Sequence, residues 1–340
     1  MRVFRSGDRG PEILDVQQRL SGLGYAIAAD ELTGTFGPTT EAAVRAFQEL
    51  RHLPTDGRVG PDTWMQLVEA GFRLGDRTLY LHAPPFRGDD VRELQRKLNA
   101  LGFDAGKQDA VHGPTTDRAV REFQRNVGDD PDGMVGLHTI ATLERMRPLE
   151  GVPGRALVRE TEQLRDMRGS IEGRVIAIES GEGPADGPEP IRVAMAAALA
   201  EELAALGAKP ENLRTEPVSP SESARAANDI DAALCLSLRL GPGVPESSGP
   251  TCSYFGSAAT YSPAGRRLAE LILEELEREF GRRGRLQRLT VGMLRETRMP
   301  AVQIEPLVPA NELEASLIDD DAFAPRVAHA VASGARRFFA

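Results

Sequence analysis

The sequence contains few cysteines, histidines and aromatic residues. Among its 340 residues are two cysteines, five histidines and one tryptophan, and aromatic residues make up 5% of the chain. The two cysteines, Cys235 and Cys252, cannot build a disulfide framework, and Cys235 lies in a predicted core strand. This pattern argues against a small disulfide-stapled domain and favours a reducing compartment.

Long apolar runs and an excess of basic charge are also missing. The net charge of −10 argues against nucleic acid as the main partner, because phosphate binding needs a basic surface. No apolar run is long enough to span a bilayer, and the N-terminus shows neither the apolar core nor the cleavage site of a signal peptide. We therefore expect a cytoplasmic protein without a transmembrane segment. The alternative is an export signal lost through a misplaced start codon.

The front half of the chain is duplicated. The matching blocks are residues 16–25 with 94–103, 37–48 with 113–124, and 56–63 with 132–139. The blocks recur in the same order at a nearly constant offset, which is the signature of an internal repeat. Each copy predicts three short helices. In the first copy the first helix ends at Gly24, Thr39 or Thr40 caps the second, and Pro61 opens the third.

The repeated motif is specific in combination: Gln-x-x-Leu-x-x-Leu-Gly, then Gly-Pro-x-Thr with Val-x-x-Phe-Gln, then Asp-Gly-x-Val-Gly. It resembles the peptidoglycan-binding domain 1 family over about residues 6–70 and 85–145. The resemblance implies contact with peptidoglycan or its precursors, and the candidate ligand-binding residues are Phe47, Gln48, Phe123 and Gln124. The alternative assigns these motif residues to turns and core. The predicted divisions are repeats at 1–72 and 73–147, a linker and helix at 148–172, and a second domain at 173–340.

From Arg174 onwards short apolar strands alternate with helices, which is typical of an α/β sheet. The central strand is predicted over residues 232–240, and the residue at its end, Arg239, decides whether the domain can hold a metal. Other predicted strands cover residues 175–179, 214–216, 254–255 (as an edge strand), 289–294 and 301–305. Predicted helices cover residues 191–206, 221–229, 262–283 and 322–339.

Three motifs of this half carry a family resemblance. They are Ile178 to Pro184, Arg225 to Asn228 with Ser237-Leu238-Arg239, and Pro300 to Leu307. They resemble the zinc-dependent N-acetylmuramoyl-L-alanine amidase 3 family over about residues 173–340. The resemblance implies an α/β domain with a central mixed sheet, a zinc ion held by two histidines and a glutamate, and a glutamate general base. Such enzymes hydrolyse the lactyl-peptide amide of peptidoglycan.

The positions that would hold zinc are degenerate. Glu182 stands at the first histidine position, Arg239 at the second, and Glu189 lies near the third ligand position. Glu305 matches the general base. Because a guanidinium cannot ligate a metal and repels a cation, we expect no metal and no other cofactor. The three glutamates would instead pair with Arg239. Under the alternative interpretation zinc is bound and Glu305 is the base of an active amidase.

The combination of two such repeats with a degenerate amidase-like domain resembles the CwlM-type regulators of actinobacteria, as do residues 73–80, 88–91 and 294–302. The resemblance implies a cytoplasmic regulator of cell-wall precursor synthesis that is not hydrolytic. Implied partners are UDP-N-acetylglucosamine 1-carboxyvinyltransferase and a Ser/Thr kinase, although kinase control through a C-terminal tail is not carried over to a chain that stops at Ala340. The alternatives are an active amidase and a purely structural peptidoglycan-binding adaptor.

Overall fold

The structure is a computed structural model that describes residues 3–146, 160–162, 164–165, 167–181, 189–213, 220–241, 247–257 and 260–340. The chain forms two compact units, residues 1–160 and 161–340. The finer divisions at 72, 147 and 172 stay predictions. Among the described residues no helix combines the length and the apolar character that crossing a membrane requires.

The first unit contains three helices in each repeat, as predicted. They are α1 (Pro11–Gly22), α2 (Pro38–Leu50), α3 (Pro61–Glu69), α4 (Asp89–Ala100), α5 (Pro114–Val127) and α6 (Leu137–Arg145). Single antiparallel bridges, Phe4 with Val59 and Leu79 with Val135, close each repeat at the same point. The second repeat has its own core of buried side chains, centred on Leu94, Val120 and Phe123.

Four buried glutamines hold the turns of this unit. Gln48 on α2 donates from Nε2 to Asp56 Oδ1 (2.7 Å) and to the Arg58 carbonyl (2.8 Å), while its Oε1 accepts from the Gly57 N–H (2.9 Å). Gln124 makes the equivalent bonds to the turn before α6. Gln17 and Gln95 make equivalent hydrogen bonds to the turns before α2 and α5. Each glutamine therefore satisfies backbone groups that burial would otherwise leave unpaired.

The predicted cap of α2 by Thr39 or Thr40 is wrong. Gly37 is the N-cap residue and makes no side-chain cap. Instead Glu31, in the stretched second turn of the first copy, accepts hydrogen bonds from the Thr39 N–H (2.9 Å) and the Thr40 N–H (2.8 Å). Burial opposes ionisation of Glu31, but these N–H groups and the Thr40 hydroxyl outweigh it and lower the pKa of Glu31 to about 2.

The second unit is built on a six-stranded mixed sheet of order β2-β1-β3-β6-β4-β5. The strands are β1 (Val175–Glu179), β2 (Lys209–Asn212), β3 (Leu234–Leu238), β4 (Thr251–Phe255), β5 (Arg285–Leu289) and β6 (Ala301–Glu305). Only the β4–β6 pair among them is antiparallel. The helices are α7 (Glu189–Ala205), α8 (Pro220–Asp229), α9 (Pro263–Phe280), α10 (Gly292–Glu296), α11 (Glu312–Ile318) and α12 (Phe323–Phe339).

The two faces of the sheet differ because successive side chains on a strand point to opposite sides. Ile178, Leu236 and Ile304 belong to the main core of the unit, together with apolar side chains of α7, α9 and α12. The alternate residues of the same strands, which include Glu179 and Ser237, point to the other face. The apolar face carries the packing of the unit, and the other face is free to carry polar groups.

Two sequence predictions about this unit differ from the structure, and a third is not tested by it. The strand around Tyr254 and Phe255 is not at the edge, because β4 pairs with both β5 and β6. The segment predicted as a strand over 289–294 divides into the end of β5 and the helix α10. The strand predicted over 214–216 lies outside the described residues, and the second strand of the unit is β2, at Lys209–Asn212.

Candidate functional site

A row of polar side chains crosses the sheet near the carboxyl end of β3. Glu179 on β1 pairs in register with Ser237 on β3, Ser237 with Gln303 on β6, and Gln303 with Ser253 on β4. All four are buried. Polar side chains inside a domain need partners, and four in one register on four neighbouring strands indicate a built arrangement.

An ion pair lies at the β1 end of this row. Arg239 follows β3 directly, and its backbone N–H donates to the Ile304 carbonyl at 2.9 Å. Its Nη1 lies 2.5 Å from Glu179 Oε2, which also accepts from the Ser237 hydroxyl at 2.7 Å. The two charged side chains are only 13% and 6% exposed. A charge-assisted bond shielded from water to this extent holds the ends of β1 and β3 together.

The turn after β1 is held by a second arginine. Arg192 on α7 donates from Nη1 to the Ser180 carbonyl at 2.9 Å and also to the Gly181 carbonyl. The Gly181 N–H donates to Glu179 Oε1 at 3.2 Å. Both oxygens of Glu179 therefore have partners, one on β3 and one in its own turn. Sequence reasoning missed Glu179 and Arg192 as members of this site.

Glu305 is the last residue of β6 and lies opposite Thr251 in the sheet. Its side chain is partly buried, and Oε1 accepts from Gln303 Nε2 at 3.1 Å. Cys235 lies two residues before Ser237 on the same face of β3. Burial and the neighbouring Glu179 carboxylate raise the pKa of its thiol, although Arg239 opposes the shift. At neutral pH this cysteine is therefore not a nucleophile.

The remaining predicted site residues cannot be placed completely. Glu182 lies outside the described residues. Glu189 is the first residue of α7, and the structure does not describe its side chain. The predicted pairing of Arg239 with Glu182, Glu189 and Glu305 stays a prediction, and the structure adds a pairing of Arg239 with Glu179. A signal for it existed in the sequence, since Glu179 ends a strand that parallel pairing can place beside Ser237.

A zinc ion does not fit the donors that the structure describes here. A catalytic zinc site needs three protein ligands at about 2 Å, drawn from His, Cys, Asp or Glu. Across the described ranges no three such side chains lie close enough to hold a metal. The residue after β3 is Arg239, whose positive charge opposes a metal, and the Glu179 carboxylate is bonded to it.

The four ligand candidates of the first unit are buried. Phe47 and Phe123 are 1% and 0% exposed and meet Tyr25 and Phe103 edge to face. Gln48 and Gln124 are the turn-holding glutamines described above. Their burial argues against direct contact with a ligand and supports the alternative interpretation, in which these motif residues specify the turns and the core.

Comparison with known proteins agrees with this architecture. Residues 9–67 and 87–143 match the model of a putative peptidoglycan binding domain, and residues 189–337 match that of N-acetylmuramoyl-L-alanine amidase. The catalytic domain of CwlV, an N-acetylmuramoyl-L-alanine amidase from Bacillus (Paenibacillus) polymyxa var. colistinus, is similar over 48% of this chain and 97% of that structure, with 21% identity and a TM-score of 0.43.

Among curated proteins, the chain is 29% identical to N-acetylmuramoyl-L-alanine amidase CwlL of Bacillus licheniformis over 164 residues, which are 42% of this chain and 46% of CwlL. It is 34% identical to N-acetylmuramoyl-L-alanine amidase CwlM of Mycobacterium tuberculosis over 329 residues, which are 89% of this chain and 81% of CwlM. The chain is therefore a protein with two repeats of the peptidoglycan-binding type followed by an amidase-type α/β domain. It belongs to the family of CwlM.

Proposed function

We propose that this chain is a peptidoglycan-associated, catalytically degenerate amidase-like protein that regulates cell-wall precursor synthesis. The observation that carries the proposal is the ion pair between Arg239 and Glu179. It lies at the carboxyl end of β3, where the amidase resemblance implies a metal ligand. A hydrolase of that type needs a metal-bound water. A guanidinium supplies neither a ligand nor an open coordination position.

The proposal extends to the partners and the compartment. Binding of peptidoglycan or its precursors is supported by the family match of both repeats. The CwlM-type resemblance supports UDP-N-acetylglucosamine 1-carboxyvinyltransferase as the regulated enzyme and the cytoplasm as the compartment, and it names a Ser/Thr kinase as a further candidate. The net charge of −10 disfavours a nucleic-acid partner.

Two measurements on the purified full chain test the loss of catalysis. The first is the zinc content after incubation with excess zinc and gel filtration, and the second is the release of free amino groups from purified cell walls. We expect substoichiometric zinc and no cleavage, with Glu305→Ala equal to the wild type. Stoichiometric zinc together with cleavage that Glu305→Ala abolishes would establish the active amidase instead.

A separate measurement tests regulation. The turnover of the purified transferase is followed while the chain is titrated in, and Arg239→Ala is compared with Arg267→Ala, a variant of a half-exposed arginine on α9. We expect the wild-type chain to cause a saturable change in turnover, and Arg267→Ala to cause the same change. Unchanged turnover, combined with co-sedimentation of the chain with cell walls, would identify a structural adaptor.

A further inference from the structure

The two repeats place different residues at one equivalent core position. Phe36 and His112 each precede the Gly-Pro-Thr-Thr segment that opens α2 or α5. Phe36 is 1% exposed and His112 is 0% exposed. The backbone N–H groups are held alike, with Phe36 donating to the Asp8 carbonyl and His112 to the Phe86 carbonyl, both at 2.9 Å. A titratable ring therefore occupies an apolar aromatic position in the second repeat only.

The polar atoms of the His112 ring are buried. Within the described part of the chain, neither imidazole nitrogen hydrogen-bonds to another residue. The charged groups that face it are Asp117 on α5 and Asp90 on α4. Each is engaged by an arginine, Asp117 by Arg121 at 2.9 Å and Asp90 by Arg77 at 2.7 Å. The carboxylates are thus already partly neutralised by their arginine partners.

We propose that His112 makes the second repeat an acid-sensitive module, which opens on protonation of the buried imidazole while the first repeat stays closed. Protonation would place a cation in the core, where neither ring nitrogen bonds to another described residue. The first repeat has no ionisable group at this position, because Phe36 fills it.

The direction of the pH effect follows from linkage. Burial lowers the pKa of His112 below its usual value of 6.5, although Asp117 and Asp90 oppose the shift. The unfolded repeat therefore binds a proton that the folded repeat does not. Stability of the repeat falls as the pH drops below about 6.5 and stops falling once the folded form is protonated as well. Each unit by which the folded pKa lies below 6.5 changes the opening equilibrium about tenfold.

This pH window is separate from that of the carboxylates. In the first repeat Glu31, whose pKa is about 2, loses its contribution only below its unfolded pKa of 4.5. In the second repeat the Met134 N–H and Gln124 lower the pKa of Asp132. These carboxylates therefore do not account for an acid response of the second repeat between pH 7.5 and 5.5.

Hydrogen exchange of the full chain at pH 7.5, 6.5 and 5.5, corrected for the intrinsic exchange rate, tests the proposal. We expect protection of α5 to fall across this range, by up to about tenfold, while protection of α2 stays within about twofold. His112→Phe should remove the response, because the first repeat accommodates phenylalanine at this backbone position. Phe36→His should transfer the response to α2.

Direct titration of the ring by NMR keeps the proposal falsifiable even when a variant folds poorly. His112→Leu serves as a second apolar variant and assigns the signal. A His112 pKa at or above 6.5 would overturn the proposal, and this would follow if the imidazolium bonded to Asp117 Oδ1, which is buried without a hydrogen bond. Equal pH dependence of α5 protection in the wild type, His112→Phe and His112→Leu would overturn it as well. Neither result depends on the proposed regulatory function.

Discussion

Both units bury polar side chains, but they use them differently. In the first unit Gln17, Gln48, Gln95 and Gln124 each satisfy the backbone of one turn, and the pattern recurs in both repeats. In the second unit Glu179, Ser237 and Arg239 bond to one another at the end of neighbouring strands. The glutamine bonds fix the course of the backbone through the turns. The bonds of Glu179 instead join the carboxyl ends of β1 and β3, which are already paired in the sheet.

This difference explains what the two family motifs can reveal. A motif residue that holds a turn identifies the fold, since without it backbone groups would be buried unpaired. A residue at the end of a sheet strand can change without altering the strands, and ligands of such sheets bind there. The motif glutamines of the repeats accordingly lie in turns, while the amidase-type unit has an arginine directly after its central strand.

The largest effect is expected from breaking the buried ion pair. Arg239→Ala leaves the Glu179 carboxylate buried without its charged partner, so the second unit should lose about 3–5 kcal/mol of unfolding free energy. Denaturant unfolding followed by a probe in the second unit measures this loss. The surface variant Arg267→Ala should stay within about 0.5 kcal/mol of the wild type. A loss from Arg239→Ala no greater than that control would refute a stabilising pair.

Removing a turn-holding glutamine should have the next largest effect, and nearly the same effect in both repeats. Gln48→Ala and Gln124→Ala each leave a buried glycine N–H without its acceptor and remove one donor to a turn carbonyl, at a cost of about 2–3 kcal/mol. Thermal unfolding of the first unit measures both variants. The control is Asn126→Ala, which removes an exposed amide on α5 that bonds only within its helix. If one glutamine variant were neutral, the turns of the two repeats would not be built alike.

Glu31 should distinguish the repeats by a smaller amount. Glu31→Gln weakens the acceptor that caps α2, so the first repeat should lose about 1 kcal/mol at pH 7. The pKa of Glu31 is lowered in the folded state, so its contribution is present above pH 4.5 and is lost as the pH falls towards 2. The difference between wild type and variant should therefore vanish in an acid titration from pH 5 to 2. A constant difference would mean that charge is not involved.

The ion pairs that join the two repeats should contribute least. Arg51 bonds to Asp89 through both terminal nitrogens at 2.8 and 2.6 Å, but the side chains are 16% and 29% exposed. Water and salt screen such pairs, so Arg51→Ala should cost less than about 1 kcal/mol, and the cost should shrink in 1 M salt. Urea unfolding at low and high salt measures it. A larger, salt-independent loss would show that packing of Arg51 over the Phe47 ring dominates.

Much of the architecture could be predicted from sequence. The duplication, the six helices of the repeats, the main helices of the second unit and the strands β1, β3 and β6 all follow from local periodicity and turn residues. The errors arose where neighbours distant in sequence decide the structure. The Tyr254 strand lies inside the sheet rather than at its edge, and the order of strands in a sheet is not written in any one segment.

For the candidate site too, the sequence predicts one part and the tertiary structure decides the other. The cause is the distance along the chain between the residues that bond. Gln48 and Asp56, which build a turn, are 8 residues apart, whereas Ser237 and Glu179 are 58 residues apart. The sequence by itself determined that the back half resembles an amidase and that an arginine follows its central strand. Only the tertiary structure decided which carboxylate Arg239 meets, because parallel pairing of β1 with β3 sets Glu179 beside Ser237. Only packing decided that the motif phenylalanines and glutamines are interior and that His112 is buried.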